Sequence, residues 1–222
     1  MAFDSPTYFD CVFSTCIGRQ YLGFFLGGAG HALFFGGSLM DFFCSGICGL
    51  LVGFVSNTLS KWKANTFFST IASAFLMAML AYGMQFLGLT ANPDAVNIGA
   101  LMILVPGLLF TNAMRDIIYG DTNSGVNRIV QVLLIAVAIA LGAACAWNTA
   151  KLMWGTPVSA AGITYPIWAH CLFSFVGCIG FAILFNIHGP GVWVCALGGG
   201  VTWLVYLLVM EFGGGEIMAN FW

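Results

Sequence analysis

The chain has 222 residues, of which 6 are Lys or Arg and 8 are Asp or Glu, so 6% are charged. An ordinary soluble domain carries roughly 25%. With 60% hydrophobic residues, a mean hydropathy of +0.97 and a net charge of −2, a water-soluble globular fold, intrinsic disorder and nucleic-acid binding through a basic surface are excluded.

The few charges delimit the elements. Uncharged stretches run over 20–40, 42–60, 64–93, 95–114, 129–150 and 152–210. A bilayer core of roughly 30 Å needs about 20 apolar residues of helix, so each stretch can hold a span and the last can hold two. The expected fold is all-α, a polytopic helical membrane protein with about seven transmembrane helices. After a short N-terminal segment, 1–20, spans fall at about 21–37, 39–58, 66–88, 96–110, 129–153, 166–186 and 191–210. Gly155-Thr156-Pro157 and Tyr165-Pro166 bracket a loop, and His188-Gly189-Pro190-Gly191 makes a tight turn. The apolar tail from Gly213 to Trp222 is too short to cross and reads as the opening of an eighth helix.

With the N-terminus in the cytoplasm, Arg19, Lys61, Lys63, Arg115 and Arg128 all lie inside and only Lys151 lies outside. That is the positive-inside bias. Trp62, Trp147, Trp154 and Trp168 sit near span ends, where interfacial aromatics belong.

Shifting the sequence by 150 residues aligns 21–56 with 171–206 without a gap and with eight identities, among them Gly27/Gly177, Gly30/Gly180, Ala32/Ala182 and Gly49/Gly199. In so Gly- and Phe-rich a chain, on the order of three identities arise by chance. Shared membrane composition is one explanation. The other is a five-span repeat, 21–154, whose odd span number inverts the second copy, 155–222, and leaves it unfinished at Trp222.

The densest polar cluster lies between Asn97 and Arg128. Pro106 lacks an amide hydrogen and its ring crowds the carbonyl of Met102, while Gly107 adds backbone freedom at the weakened point. Such a break leaves carbonyls for a partner, a water or a ligand, and is tolerated in a membrane only where protein or a wet cavity covers it. If the helix resumes, Asn112 and Asp116 share a face with Arg115 beside them. These groups are candidates for holding both ends of a zwitterion, Arg115 gripping a carboxylate. Equally, Arg115 and Asp116 fit a solvated loop with local pairing. Gly120 ends one helix and Asp121 or Ser124 caps the next.

His31, midspan beside Gly27, Gly28 and Gly30, is a proton-coupling candidate, as is Asp121. A neutral His31 bonded to a nearby carbonyl is the alternative. No carboxylate falls in a span interior; Asp41, Asp94, Asp116 and Asp121 all map near interfaces. The eight cysteines form no C-x-x-C pair and no Cys/His set has zinc spacing, so no metal and no cofactor is expected. No nucleophile–base pair or nucleotide-binding motif points to an enzyme.

The segment Asn92–Gly107, with Thr111–Asp116 and Gly120-Asp121, resembles the bacterial threonine/serine exporter family, as do Leu133–Gly142 and Gly36-Gly37-Ser38. The match covers the five-span first half over 21–154, and Phe181–Asn186 with Gly198–Tyr206 resemble the opening of the second half. Family members usually carry a soluble domain before the first span, where this chain has about 20 residues, so a fragment, a split subunit or a minimal form is expected. The resemblance implies a multi-pass protein of the bacterial inner membrane that exports threonine, serine or a dicarboxylate such as succinate by ion-coupled alternating access. Its partners would be the lipid bilayer, the substrate and a second membrane subunit or another copy. Substrate binding would fall to Asn97, Pro106, Gly107, Asn112, Arg115 and Asp116. A non-transporting membrane scaffold is the competing expectation.

Overall fold

The computed structural model describes residues 6–187 and 189–212, with side chains from Gly18 onward. Among them are eight helices and no strand: α1 (Pro6–Phe34), α2 (Leu39–Lys61), α3 (Thr66–Phe86), α4 (Pro93–Leu101), α5 (Gly107–Ile118), α6 (Thr122–Trp154), α7 (Ile167–Leu184) and α8 (Gly191–Glu211). His188 and the tail from Gly213 lie outside the described residues. Five helices, α2, α3, α6, α7 and α8, are long and apolar enough to cross a membrane.

Two of the expected spans differ. The first is the end of a 29-residue helix that already starts at Pro6, a residue suited to a first helical turn because its missing amide hydrogen costs nothing there. The fourth is two helices of 9 and 12 residues, about 14 and 18 Å long at 1.5 Å per residue, so neither crosses alone.

Local chemistry sets most boundaries. Ser38 and Asp41 form a reciprocal capping box at α2. Asn65 caps α3 through Phe67 N–H, and Asn92 caps α4 through Ala95 N–H with Pro93 in the first turn. Gly120 stops α5 at φ 91°, a left-handed conformation that side chains disfavour, and Asp121 then caps α6.

Successive spans alternate in direction, with α4 and α5 running the same way as the two halves of one span. One end of the bundle carries the turn 35–38 and the loops 87–92 and 155–166; the opposite end carries 62–65, 119–121 and 185–190. Arg19, Lys61, Lys63, Arg115 and Arg128 lie toward the second end, and Lys151 toward the first. Arg19 is fastened there by a bond from Nη2 to the Ile187 carbonyl, 3.1 Å.

In a membrane, helices associate by close packing and polar contacts rather than by expelling water, so small residues mark the seams. Ala138, Gly142, Ala146 and Ala150 make a buried i, i+4 stripe by which α6 lies on α3. A methyl at Gly142 would stand 2.6 Å from the Ile71 carbonyl oxygen. The main core joins Phe24, Cys48, Val52, Met77, Val96 and Ala100 from α1–α4.

The seam between α1 and α7 has a special form. Gly27 faces Gly180 and Gly30 faces Gly177, so close that a methyl on Gly30 would lie 2.7 Å from Gly177 N and one on Gly180 would lie 2.8 Å from Gly27 Cα. Adding 150 to the α1 members gives the α7 members, and the two contacts exchange under that shift. The Phe24 ring fills the hollow over Gly53.

Candidate functional site

The break in the fourth span is wider than Pro106-Gly107. A proline disfavours helical backbone at the residue before it and gives no N–H to the carbonyl of Met102. Accordingly α4 ends at Leu101, tight i→i−3 bonds follow from Ile103 to Ala100 (3.3 Å) and Leu104 to Leu101 (2.9 Å), and α5 restarts at Gly107. The result is two half-helices with carbonyls of one and amides of the other exposed at the gap.

Asn97 stands on α4 one turn before this gap. It is 7% exposed, and its Oδ1 is buried without a hydrogen-bond partner. An orphaned buried acceptor of this kind costs about 1–3 kcal/mol. The α4 backbone there is pressed into the bundle. A methyl on Gly99 would stand 2.6 Å from Ala32 N, 2.8 Å from the Gly28 carbonyl oxygen and 2.8 Å from Ser45 Oγ. Ser45, fully buried, has its hydroxyl 3.0 Å from the Gly28 carbonyl and 3.2 Å from that of Val96, joining α1, α2 and α4 at one point.

On α5 the helix does resume, and Asn112 and Asp116 share a face with Leu109, Ala113 and Ile117. That face lies on α6, where Gly125 admits the Ala113 carbonyl. Asp116 pairs with Arg128 of α6 at 3.0 Å and accepts Ser124 Oγ at 3.3 Å. Arg115 points away, exposed, and makes no ion pair among the described residues. The six expected substrate residues therefore fall in two groups. Asn97 is inside the α1–α4 packing, with Pro106 and Gly107 at the gap; Asn112, Arg115 and Asp116 are on α5 beside α6.

His31 lies in the α1–α7 seam. Its Nδ1 donates to the Gly27 carbonyl at 2.8 Å, its ring touches Gly177, and Phe181 meets it edge-on at 5.0 Å between centroids. Asp121 is exposed and serves as the α6 cap, accepting Ser124 N–H at 3.3 Å.

The threonine/serine exporter model, ThrE, matches residues 19–150, more than half of the chain, and a second model of that exporter, ThrE_2, matches 170–222. The chain belongs to the threonine/serine exporter family. No curated protein and no solved structure matches it significantly. The chain is thus a multi-pass membrane protein of a transporter family, in contact with the lipid bilayer.

At the other end of α4 is a polar knot that no local sequence pattern announces. Asp41 is 1% exposed, although it maps near an interface. Its Oδ2 accepts Ser38 N–H at 2.8 Å and Ser38 Oγ–H at 2.9 Å, and its Oδ1 accepts the Thr90 hydroxyl. Thr90 Oγ1 in turn accepts Asn92 N–H at 3.2 Å, and Asn92 caps α4. Residues 155–166 strap this end of the bundle above the knot: Ile163 N–H bonds Gly36 O at 2.8 Å, Ala160 N–H bonds Ala91 O at 3.0 Å, and the Tyr165 hydroxyl bonds Gly37 O at 2.8 Å. Burial, and secondly the Asp41 charge, push the Tyr165 hydroxyl above the ordinary tyrosine range. Under the strap a cavity of about 230 Å³ is lined by Tyr82, Gln85, Phe86, Ala150 and Trp154. Ser38-x-x-Asp41 is legible in sequence as a capping box. Its burial comes from segments 49 and more than 120 residues away, which no local pattern announces.

Proposed function

We propose that the chain is a secondary exporter, or a subunit of one, that carries threonine, serine or similarly small polar metabolites across the bacterial inner membrane by alternating access. The broken fourth helix carries this reading: two half-helices meet at Met102–Pro106, one turn beyond a buried Asn97 whose acceptor has no partner. A solute bearing an ammonium or hydroxyl donor satisfies that acceptor, and the amides opening α5 suit its carboxylate. Arg115, exposed and without an acid partner among the described residues, attracts the same carboxylate toward the basic end, which faces the cytoplasm under the positive-inside rule. The glycine crossing of α1 and α7 supports an inverted repeat, 21–154 with 155–222 as the opening of the second copy. Two backbones in contact without intervening side chains can rock about that crossing.

The test is efflux of labelled threonine, serine and succinate from proteoliposomes, comparing the wild type with Asn97→Leu. Leucine removes the orphaned acceptor at similar volume, so the variant should be as stable as the wild type or more so, by up to about 1–3 kcal/mol, yet lose flux at least about tenfold. Wild-type-like efflux by a folded Asn97→Leu protein removes the site. Absence of flux of all three solutes from folded wild type leaves the scaffold reading instead, and succinate carried in preference to threonine selects the dicarboxylate alternative.

A further inference from the structure

Asp41 is the one acid among the described residues that is buried, since Asp94, Asp121 and Glu211 are exposed and Asp116 is partly open and paired with Arg128. A carboxylate enclosed in a membrane protein without a cation is expensive and marks a working group more often than a structural one. Resting on the exporter reading above, we infer that Asp41 is the coupling-proton site, and that its charge latches α4 and the 155–166 strap in the closed position.

The argument is one of hydrogen count. An ionised carboxylate only accepts, whereas a protonated one must also donate. Three donors already converge on Asp41: Ser38 N–H, Ser38 Oγ–H and Thr90 Oγ–H. Each hydroxyl is oriented by a backbone amide behind it. Asp41 N–H donates to Ser38 Oγ at 3.3 Å and Asn92 N–H donates to Thr90 Oγ1 at 3.2 Å, which turns the single hydrogen of each hydroxyl toward the carboxylate. The three donors occupy three of the carboxylate's four lone-pair sites, so an added proton either takes the remaining site on Oδ1, beside the Thr90 hydroxyl, or displaces one of the three donors. If the Thr90 bond breaks, the chain from Asp41 through Thr90 to Asn92 and the α4 cap is cut, and the half-helix bearing Asn97 loses its tether at the outer end. The strap depends on the same turn, because its bonds from Ile163 and Tyr165 end on Gly36 and Gly37.

The ionisable groups around the latch are few. Tyr165 faces it from the strap and Cys44 lies one turn along α2, both felt by the Asp41 charge. Asp94 on α4 is occupied by the Ser159 hydroxyl. His31 of α1 is turned to Gly27 and Phe181, His170 in the first turn of α7 meets the strap's Tyr165 edge-on, and Lys151, the one Lys or Arg toward this end, lies over the Trp147 ring. No Lys or Arg among the described residues pairs with Asp41, which leaves the carboxylate free to take a proton. In transport terms, a proton arriving from the outer side adds to the carboxylate, releases strap and α4 so that substrate leaves outward, and departs to the cytoplasm when the site reopens inward.

The experiment uses the full chain in lipid vesicles and two readouts. The first is amide protection of Ala160 and Ile163, corrected for intrinsic exchange, between neutral and acidic pH. In the wild type, protection should fall about tenfold on acidification, the population change of roughly one hydrogen bond. Asp41→Asn should show the low protection at every pH, and Asp41→Glu should keep a pH step at a displaced midpoint. Thr90→Val cuts the latch without touching the carboxylate and should also lower protection, which covers the case in which Asp41→Asn does not fold. The second readout is threonine flux: Asp41→Asn should retain exchange at equal pH and lose uphill flux driven by a pH gradient. Protection in Asp41→Asn and Thr90→Val equal to the wild type with the same pH step overturns the latch, as does gradient-driven flux in Asp41→Asn equal to the wild type. Wild type that carries no solute yet shows the protection step, lost in Asp41→Asn, overturns the exporter reading together with the coupling role and leaves the latch standing.

Discussion

Replacing Gly30 by alanine inserts one methyl group where α1 and α7 touch backbone to backbone. That methyl would stand 2.7 Å from Gly177 N and 2.8 Å from Gly177 Cα, whereas unstrained heavy atoms settle at about 3.5–4.0 Å. The neighbours are main-chain atoms, so no side chain can swing aside, and the helices must part by about 1 Å. Overpacking of this kind costs about 1–3 kcal/mol, offset by the roughly 0.5–1 kcal/mol that alanine gains over glycine within a helix. Gly198→Ala on α8 is the matched control, because nothing lies within 4 Å of its added methyl; it keeps the propensity gain alone. The propensity gain is common to both, so the two variants should differ by about 1–3 kcal/mol in reversible unfolding from mixed micelles, roughly fivefold to a hundredfold in the folded-to-unfolded ratio. Gly180→Ala should mirror Gly30→Ala. The double variant should lose less than the sum, since helices already parted for one methyl admit the second more easily. Gly30→Ala as stable as Gly198→Ala would refute the close crossing.

Other outcomes follow from single contacts. The Asp116–Arg128 pair is 39% exposed on its Arg side and 16% on its Asp side, so a double-mutant cycle should give no more than about 1 kcal/mol of coupling, shrinking as salt is added. Tyr165→Phe keeps the edge-on contact with Phe173 and deletes the bond to Gly37, costing about 0.5–1.5 kcal/mol. Because the Tyr165 hydroxyl titrates above its ordinary value of about 10 in the folded state, its share of stability is whole below that pH. It is lost as pH rises through the displaced value, since the unfolded chain gives up the proton first. The alkaline limb of an unfolding profile should accordingly flatten in Tyr165→Phe. Gly99→Ala, which presses on Ala32, Gly28 and Ser45 at once, should be among the most damaging single-methyl additions, read as loss of folded protein from detergent extracts.

Long-range placement separates what the sequence discloses from what it does not. Hydropathy locates α2, α3, α7 and α8 and the end of α6 within a few residues, because lipid demands unbroken apolar helix and the few charges sit at its edges, whereas α6 starts seven residues before the expected 129. Pro106 announces a break, and its physics explains why unwinding begins upstream at Met102 rather than at the proline itself. The start of α1 at Pro6 escapes a hydropathy reading, since 6–20 is helical without being a span. In the site, Asn112 and Asp116 share a face as their spacing dictates. Which face that is depended on α6, and the partner of Asp116 proved to be Arg128 rather than the adjacent Arg115. The burial of Asp41 needs Thr90 and the strap, and the strap has neither periodicity nor charge to betray its anchors.

The length of α6 has a consequence for where the lipid head groups lie. Its 33 residues measure about 50 Å, against a hydrocarbon thickness of roughly 30 Å. Tilt alone, at most about 40°, shortens the projection to roughly 38 Å, so part of the helix must stand clear of the acyl chains. The uncharged run begins after Arg128, which makes the first two turns of α6 and the end of α5 a stub in the interfacial layer. The Arg128–Asp116 pair then marks the depth at which hydrocarbon ends, a fixed float line against which every other helix in the bundle is registered.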